Sequence, residues 1–79
     1  MALYFDTRDS DRFIRDEDGV EISSFAKVKL LASEAMADLA KDVLPGAETR
    51  NLAIEVRMTA ARFLRLNLRF EVEQVSEPA

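Results

Sequence analysis

The sequence predicts an α+β domain of two layers, in which one helix packs on one face of a mainly antiparallel sheet in the order β-β-α-β-β. Three observations carry this prediction. Two stretches near the C-terminus alternate strictly between apolar and polar residues, a middle stretch has helical spacing, and the N-terminal third has short apolar runs bounded by turn formers. The order of the strands within the sheet stays open.

Residues 62–75 predict the longest strand. Its apolar and polar residues alternate, which places each set on one face of a half-buried strand. The apolar set is Leu64, Leu66, Leu68, Phe70 and Val72, and the polar set is Arg65, Asn67, Arg69, Glu71 and Glu73. This strand anchors the predicted fold.

A second alternating stretch precedes it, with Leu52, Ile54, Val56 and Met58 on one face and Asn51, Ala53, Glu55 and Arg57 on the other. The link Thr59-Ala60-Ala61 has the length of a hairpin loop. We therefore expect the last two strands to pair antiparallel, with both apolar rows on the same face.

The N-terminal region predicts a hairpin of two short strands, over residues 3–7 and 13–15, joined by turn-forming residues. Ile14 is the expected inward residue of the second strand. Asp18-Gly19 is a strong turn signal, and residues 20–22 can extend again before the helix.

One helix is predicted over residues 25–44, with Ser24 as its N-cap and Pro45-Gly46 at its end. Its core face is Phe25, Val28, Ala32, Met36, Leu39 and Val43. A looser second stripe runs beside that face and consists of Ala26, Leu30, Ser33, Ala37 and Leu44. Two interpretations of this stripe stay open: a wide flank buried on the sheet, or a self-association surface.

Composition restricts the function classes. The chain has 79 residues, a net charge of −4, and neither cysteine nor histidine, so thiolate, histidine and common zinc chemistry are excluded. We expect one domain over residues 1–75 with a frayed tail at 76–79, a cytoplasmic protein with no membrane span, and no cofactor. No small-molecule ligand can be inferred.

An acidic cluster is the only group that resembles a metal site, and it consists of Asp6, Asp9, Asp11, Asp16, Glu17 and Asp18. Its spacing does not follow a calcium loop, because Phe13, Ile14 and Val20 occupy the positions of a ligand, the turn glycine and the closing acid. The carboxylates other than Asp6 are expected in turns or on polar faces, with ordinary pKa values. We therefore expect a solvated acidic hairpin and no metal site, with a weak cation site as the open alternative. We expect no catalytic residues, so the protein is predicted not to be an enzyme.

The polar face of the sheet is the more informative candidate. Its expected interaction residues are Tyr4, Arg57, Phe63, Arg65, Asn67, Arg69 and Glu71, with Glu55 and Phe13 beside them. One interpretation is a solvated face with cross-strand ion pairs. The other is a binding face, since arginine and aromatic residues are enriched at interface hot spots. Nucleic acid is an improbable partner for an acidic chain.

Several short motifs together resemble a known family. They are Tyr4-Phe5-Asp6 followed by Arg8-Asp9, then Asp16 with Gly19-Val20-Glu21 ahead of an alanine-rich helix, and the late strand Ala53-Ile54-Glu55-Val56-Arg57. The chain resembles a family of short, uncharacterised proteins of rhizobia and related alphaproteobacteria, known as a domain of unknown function. It departs from that pattern at Ser10, where glycine is common, and at the Thr59-Ala60-Ala61 turn. The resemblance implies a bacterial cytosolic protein and implies no activity.

The function itself is not identified by the sequence. The leading hypothesis is a small non-enzymatic interaction or accessory protein, in one version a homodimer, that uses the open sheet face or the second helix stripe. The alternative is a nucleic-acid or transcription-associated regulator that works through Arg57, Arg65 and Arg69.

Overall fold

A five-stranded antiparallel sheet carries a single helix on one of its faces in the computed structural model, which describes residues 2–78. The strands are β1 (Ala2–Asp9), β2 (Arg12–Ile14), β3 (Val20–Glu21), β4 (Thr49–Met58) and β5 (Ala61–Glu71), and the helix is α1 (Val28–Val43). A 3₁₀ turn, Phe25–Lys27, leads into α1. The predicted α+β class, with one helix packed on a sheet, is confirmed.

The strand order is β2-β1-β4-β5, and β3 pairs with the same edge of β1 as β2 does. The last two strands form the expected antiparallel hairpin, with Thr49 opposite Glu71 and Val56 opposite Leu64. Strand β4 is therefore central, and β5 is an edge strand. The N-terminal part holds three short strands where the sequence predicted two.

The core lies between α1 and the central strands. Its buried side chains come from β1, β4 and α1, and include Leu3, Ile54, Val56, Val28, Ala32 and Met36. Phe25 was expected in this core but is 57% exposed, because it belongs to the 3₁₀ turn ahead of α1. The Ser24 hydroxyl accepts a hydrogen bond from the Ala26 N–H and so caps that turn.

Two details of the prediction are wrong. Ile14 is 46% exposed, because β2 is a three-residue edge strand whose residues all lie in solvent. Strand β5 ends at Glu71 and does not continue to residue 75, since β4 begins at Thr49 and the last rung joins the Val72 N–H to the Glu48 carbonyl. Among residues 2–78, no helix is long and apolar enough to cross a membrane.

Both hairpin loops contain two residues and begin with positive φ, at Ser10 (57°) and Thr59 (56°). A positive φ at only the first loop residue is the pattern of a type II′ turn, a position that favours glycine. A β-bulge between Val56 and Arg57 interrupts the β4–β5 ladder and places Arg62 opposite Arg57. The bulge thereby brings the Arg57 side chain close to the second of these loops.

Candidate functional site

The face of the sheet opposite α1 contains a buried ion pair. Asp6 is fully buried and Arg57 is 5% exposed, with 2.8 Å between Asp6 Oδ2 and Arg57 Nε. The other two guanidinium nitrogens of Arg57 donate to the carbonyls of Thr59 (2.6 Å) and Asp16 (2.8 Å). The guanidinium carbon lies 4.4 Å from the ring centroid of Tyr4, a cation–π distance. Each nitrogen of the Arg57 guanidinium therefore donates a hydrogen bond, and the Tyr4 ring covers one of its faces.

Asp16 joins this ion pair to the edge of β1. Its N–H donates to Asp6 Oδ1 at 2.9 Å, and its own Oδ2 accepts the Phe5 N–H at 3.0 Å. Its Oδ1 accepts the N–H groups of Asp18 and Gly19, which closes a tight turn. The Phe5 N–H points away from β4, in the gap between the rungs made by β2 and β3. The Asp16 carboxylate thus satisfies a backbone N–H group that a neighbouring strand would otherwise pair with.

These contacts set the acidity of Asp16. Partial burial alone would raise its pKa, because it disfavours the charged form. Hydrogen bonds from the N–H groups of Phe5, Gly19 and Asp18, together with the charge of Arg57, outweigh that effect and lower the pKa below its usual value. The prediction of an ordinary pKa is wrong for this carboxylate, because its contacts in the folded chain favour the charged form.

A second buried carboxylate on the same face is Glu55, which is 5% exposed although it was expected on a solvated row. Arg8 binds it at 2.9 Å, and Arg62 and Arg65 approach it at 3.8 and 3.7 Å. The Arg8 guanidinium also lies 4.5 Å from the ring centroid of Phe13. The arginines of the neighbouring strands cover Glu55, which explains its burial on this face.

The predicted interaction face is divided by the structure. Arg57 lies in the buried pair, and Tyr4 is half buried against it. The Phe63 ring meets the ring of Phe25 edge-on, at 5.5 Å between centroids, beside the start of α1.

The remaining residues of that face stay exposed along β5. They are Arg65, Asn67, Arg69 and Glu71. Arg65 Nε donates to the Asn67 side chain at 3.0 Å, and Arg69 lies 3.7 Å from Glu71. Contacts of this exposed kind contribute little to stability. These side chains are therefore available to a partner.

The outer edge of β5 has unpaired backbone groups. The Val72 N–H donates to the Glu48 carbonyl, in the register that pairs the even-numbered residues of β5 with β4. Alternation along an antiparallel ladder then points the N–H and C=O groups of the odd-numbered residues outward. Over the regular part of the ladder, those residues are Arg65, Asn67, Arg69 and Glu71. No other described strand pairs with β5.

Apolar side chains lie beside this edge. A shallow, mostly apolar depression lies between α1 and the end of β5, and its lining residues are Ala37, Ala40, Lys41, Leu44, Pro45 and Phe70. Two of the five residues of the predicted helix stripe, Ala37 and Leu44, therefore lie beside the sheet edge. Leu30 is 59% exposed and Ala26 lies in the 3₁₀ turn; neither lines the depression.

We call the combination of these features the β5 edge surface. It consists of the outward backbone of residues 65–71, the aromatic pair at one end and the apolar depression at the other. The sequence predicted its side chains separately, as a strand face and a helix stripe. The spacing of residues in the sequence could not show that the strand face and the helix stripe lie together, because that depends on which strand forms the edge of the sheet.

The acidic cluster is dispersed. Asp6 and Asp16 bind Arg57 and backbone groups, and both oxygens of Asp9 accept from Arg50 Nη1 at 2.7 Å. Within residues 2–78, no group of three or more acidic side chains converges so as to hold a metal ion. The Asp18-Gly19 turn signal pointed to this region, but nothing in the sequence marked Asp16 as its central acceptor.

Comparisons with known proteins give one result. The family DUF6894, described as a domain of unknown function, matches residues 3–69. The match covers the sheet and helix almost entirely, including the Asp6–Arg57 pair and Asp16. Neither the curated proteins nor the solved structures give a match.

Proposed function

The chain belongs to the DUF6894 family, a domain of unknown function, and we propose that it is a small non-enzymatic interaction protein that binds another protein chain through the β5 edge surface. The observation that carries this proposal is the unpaired outer edge of β5 beside apolar side chains. An extended segment can add to such an edge, with backbone hydrogen bonds giving affinity and flanking side chains giving specificity.

The length and regularity of this edge support the proposal. Proteins commonly protect edge strands with proline, bulges or short length. Strand β5 has eleven residues and no proline, and its pairing irregularity lies at its start, opposite Val56 and Arg57. Such an edge is a ready template for another chain.

The proposal assigns no catalytic role to the face of the sheet opposite α1. Asp6, Asp16 and Glu55 each accept from arginine or from backbone N–H groups, so their oxygens hold the fold together. A general acid would need a raised pKa, and the contacts of Asp16 lower its pKa. As part of the same proposal, the protein acts in the cytoplasm as an accessory to its partner.

A nucleic-acid regulator has less support. That alternative relies on Arg57, Arg65 and Arg69, but Arg57 is buried against Asp6 and Arg65 lies beside Glu55. Binding to phosphate backbones is strongest at low salt. Fluorescence anisotropy with single- and double-stranded probes at low salt therefore tests it, and saturable binding that weakens as salt rises would favour it over the protein partner.

The experiment for the main proposal compares two exposed phenylalanines on opposite edges of the sheet. Phe63 lies at the β5 edge and is 43% exposed; Phe13 lies on β2 and is 39% exposed. Each is replaced by a photo-crosslinking phenylalanine analogue in cells, and the adducts are identified by mass spectrometry. We expect a protein adduct from position 63 and none from position 13. Equal adducts, or none at position 63, would contradict the proposal.

A further inference from the structure

We infer that the β5 edge surface binds a second copy of this chain, with β5 antiparallel to β5 and Leu68 on the two-fold axis. The inference rests on the proposed function and deepens it, because it names the partner and the register. It follows from the direction of the free backbone groups and from the order of charges along β5.

The backbone allows such pairing. A two-fold axis at residue k pairs residue i with residue 2k − i of the second copy, so odd residues always meet odd residues. Those are the residues whose N–H and C=O groups point outward from β5. A second rung supports this alternation, since the Ser10 N–H donates to the Asn51 carbonyl and makes the odd residues of β4 face β1. Two-fold registers that use residues 65–71 can therefore form their hydrogen bonds, whereas the β-bulge at Phe63 interrupts the alternation before them.

The charges distinguish the registers. With the axis at Leu68, Arg65 lies opposite Glu71 of the second copy, and Asn67 lies opposite Arg69 of that copy. Symmetry makes each of these pairs twice. Cross-strand pairs of opposite charge stabilise a sheet, and like charges directly opposite one another destabilise it.

The neighbouring registers lack this match. An axis at Asn67 places Arg65 opposite Arg69 of the second copy, twice. An axis at Leu66 forms no ion pair, and its ladder runs into the β-bulge at Phe63. Axes beyond Leu68 lose rungs, because β5 ends at Glu71. The Leu68 register alone combines opposite charges with a ladder over residues 65–71.

The apolar row agrees with the same register. Leu68 meets Leu68 of the second copy, and Leu66 meets Phe70 of that copy. These side chains are half buried in the single chain and face α1. A two-fold axis perpendicular to the sheet leaves both helices on one face, so the depression beside Phe70, which Ala37, Lys41 and Leu44 also line, lies next to Leu66 of the second copy. Pairing would remove this apolar surface from water.

Single-cysteine variants test the register. The chain has no cysteine, so each variant has one thiol. Cysteines at Leu66, Asn67 and Leu68 are compared under mild oxidation, because only the residue on the axis meets its own copy. In a pair without backbone hydrogen bonds the Cα atoms lie about 4.5 Å apart, within disulfide range. We expect Leu68→Cys to cross-link fastest. Faster cross-linking of Leu66→Cys or Asn67→Cys would overturn the register.

Charge reversal tests the same pairing in solution. We expect Arg65→Glu and Glu71→Arg each to weaken dimerisation about tenfold by sedimentation equilibrium, and the double variant to recover it. Contacts within one chain cannot explain the recovery, since an acidic side chain at position 65 would still lie beside Glu55. Thermal unfolding of each variant checks folding. A double variant weaker than both single variants would overturn the inference.

The two proposals fail separately. A wild-type chain that stays at its monomer mass of 8.9 kDa at high concentration would overturn the inference. If position 63 then still forms adducts with a different protein in cells, the proposed function stands with another partner. If position 63 forms no adduct of either kind, the proposed function fails as well.

Discussion

The two edges of this sheet differ in how their backbone groups are satisfied. On the outer edge of β1, β2 pairs with residues 7–9, β3 pairs with Ala2 and Leu3, and the Asp16 carboxylate accepts the Phe5 N–H between them. On the outer edge of β5, no described strand pairs with any of its eleven residues. One edge is closed by three separate devices, and the other is left open.

The comparison gives the buried ion pair a structural role. Asp6 accepts the Asp16 N–H, and Arg57 donates to the Asp16 carbonyl, so the pair holds the segment that closes the β1 edge. Burying two charges is costly unless their remaining groups are hydrogen-bonded, as they are here. We infer that these charges serve closure of one edge, and that binding is left to the other.

The largest expected effect comes from Arg57→Met, which leaves Asp6 buried without its cation. We expect a loss of about 3–5 kcal/mol in the free energy of unfolding, measured with urea, because an uncompensated buried charge remains. Hydrogen exchange at the Phe5 amide should accelerate as the closed edge opens. Arg65→Met is the control, since its exposed ion pair contributes at most about 1 kcal/mol. Equal losses in the two variants would contradict this role of Arg57.

A smaller effect is expected from Asp16→Asn, because an amide cannot accept on both sides as the carboxylate does. The loss at neutral pH should be about 2 kcal/mol, the cost of leaving a partly buried N–H unsatisfied. Asp18→Asn is a control on the same turn.

The pH dependence gives this test a sign. The pKa of Asp16 is lower in the folded chain than in the unfolded chain. Its contribution to stability is therefore present above the unfolded value of about 3.9 and is lost as pH falls through the folded pKa. The gap in unfolding free energy between the wild type and Asp16→Asn should narrow below about pH 4. A gap that stays constant down to pH 2 would contradict the assignment.

The elements of the fold could be predicted because their signals are local. Alternation identified both long strands, and the short link between them required a hairpin. The closed edge could not be predicted, since Asp6 is buried and Asp16 is partly buried by contacts with segments distant in sequence. Glu55 lies on a polar row by periodicity, and only the arginines of two neighbouring strands cover it. Which strand ends the sheet is likewise a property of topology and not of spacing.

The smallest expected effect compares two glycines with positive φ. Gly19 has φ +74° and Gly46 has φ +86°. A methyl group at Gly46 meets nothing within 4 Å, whereas a Cβ at Gly19 would lie 2.8 Å from Cε1 of Tyr4. Alanine at either site pays the strain of a left-handed backbone, about 1 kcal/mol. At Gly19 the Tyr4 ring must also move off Arg57, which adds about 1 kcal/mol.

The difference between the two variants, measured by urea unfolding, isolates the contact with Tyr4. Gly19→Ala should be less stable than Gly46→Ala by about 1 kcal/mol, the cost of moving the Tyr4 ring. Its Phe5 amide should also exchange faster than in Gly46→Ala. Both effects follow from loosening of the residues 15–19 that close the β1 edge, while the β5 edge stays unchanged. Equal stabilities would mean that the Tyr4 ring moves without disturbing Arg57 or the segment that closes the β1 edge.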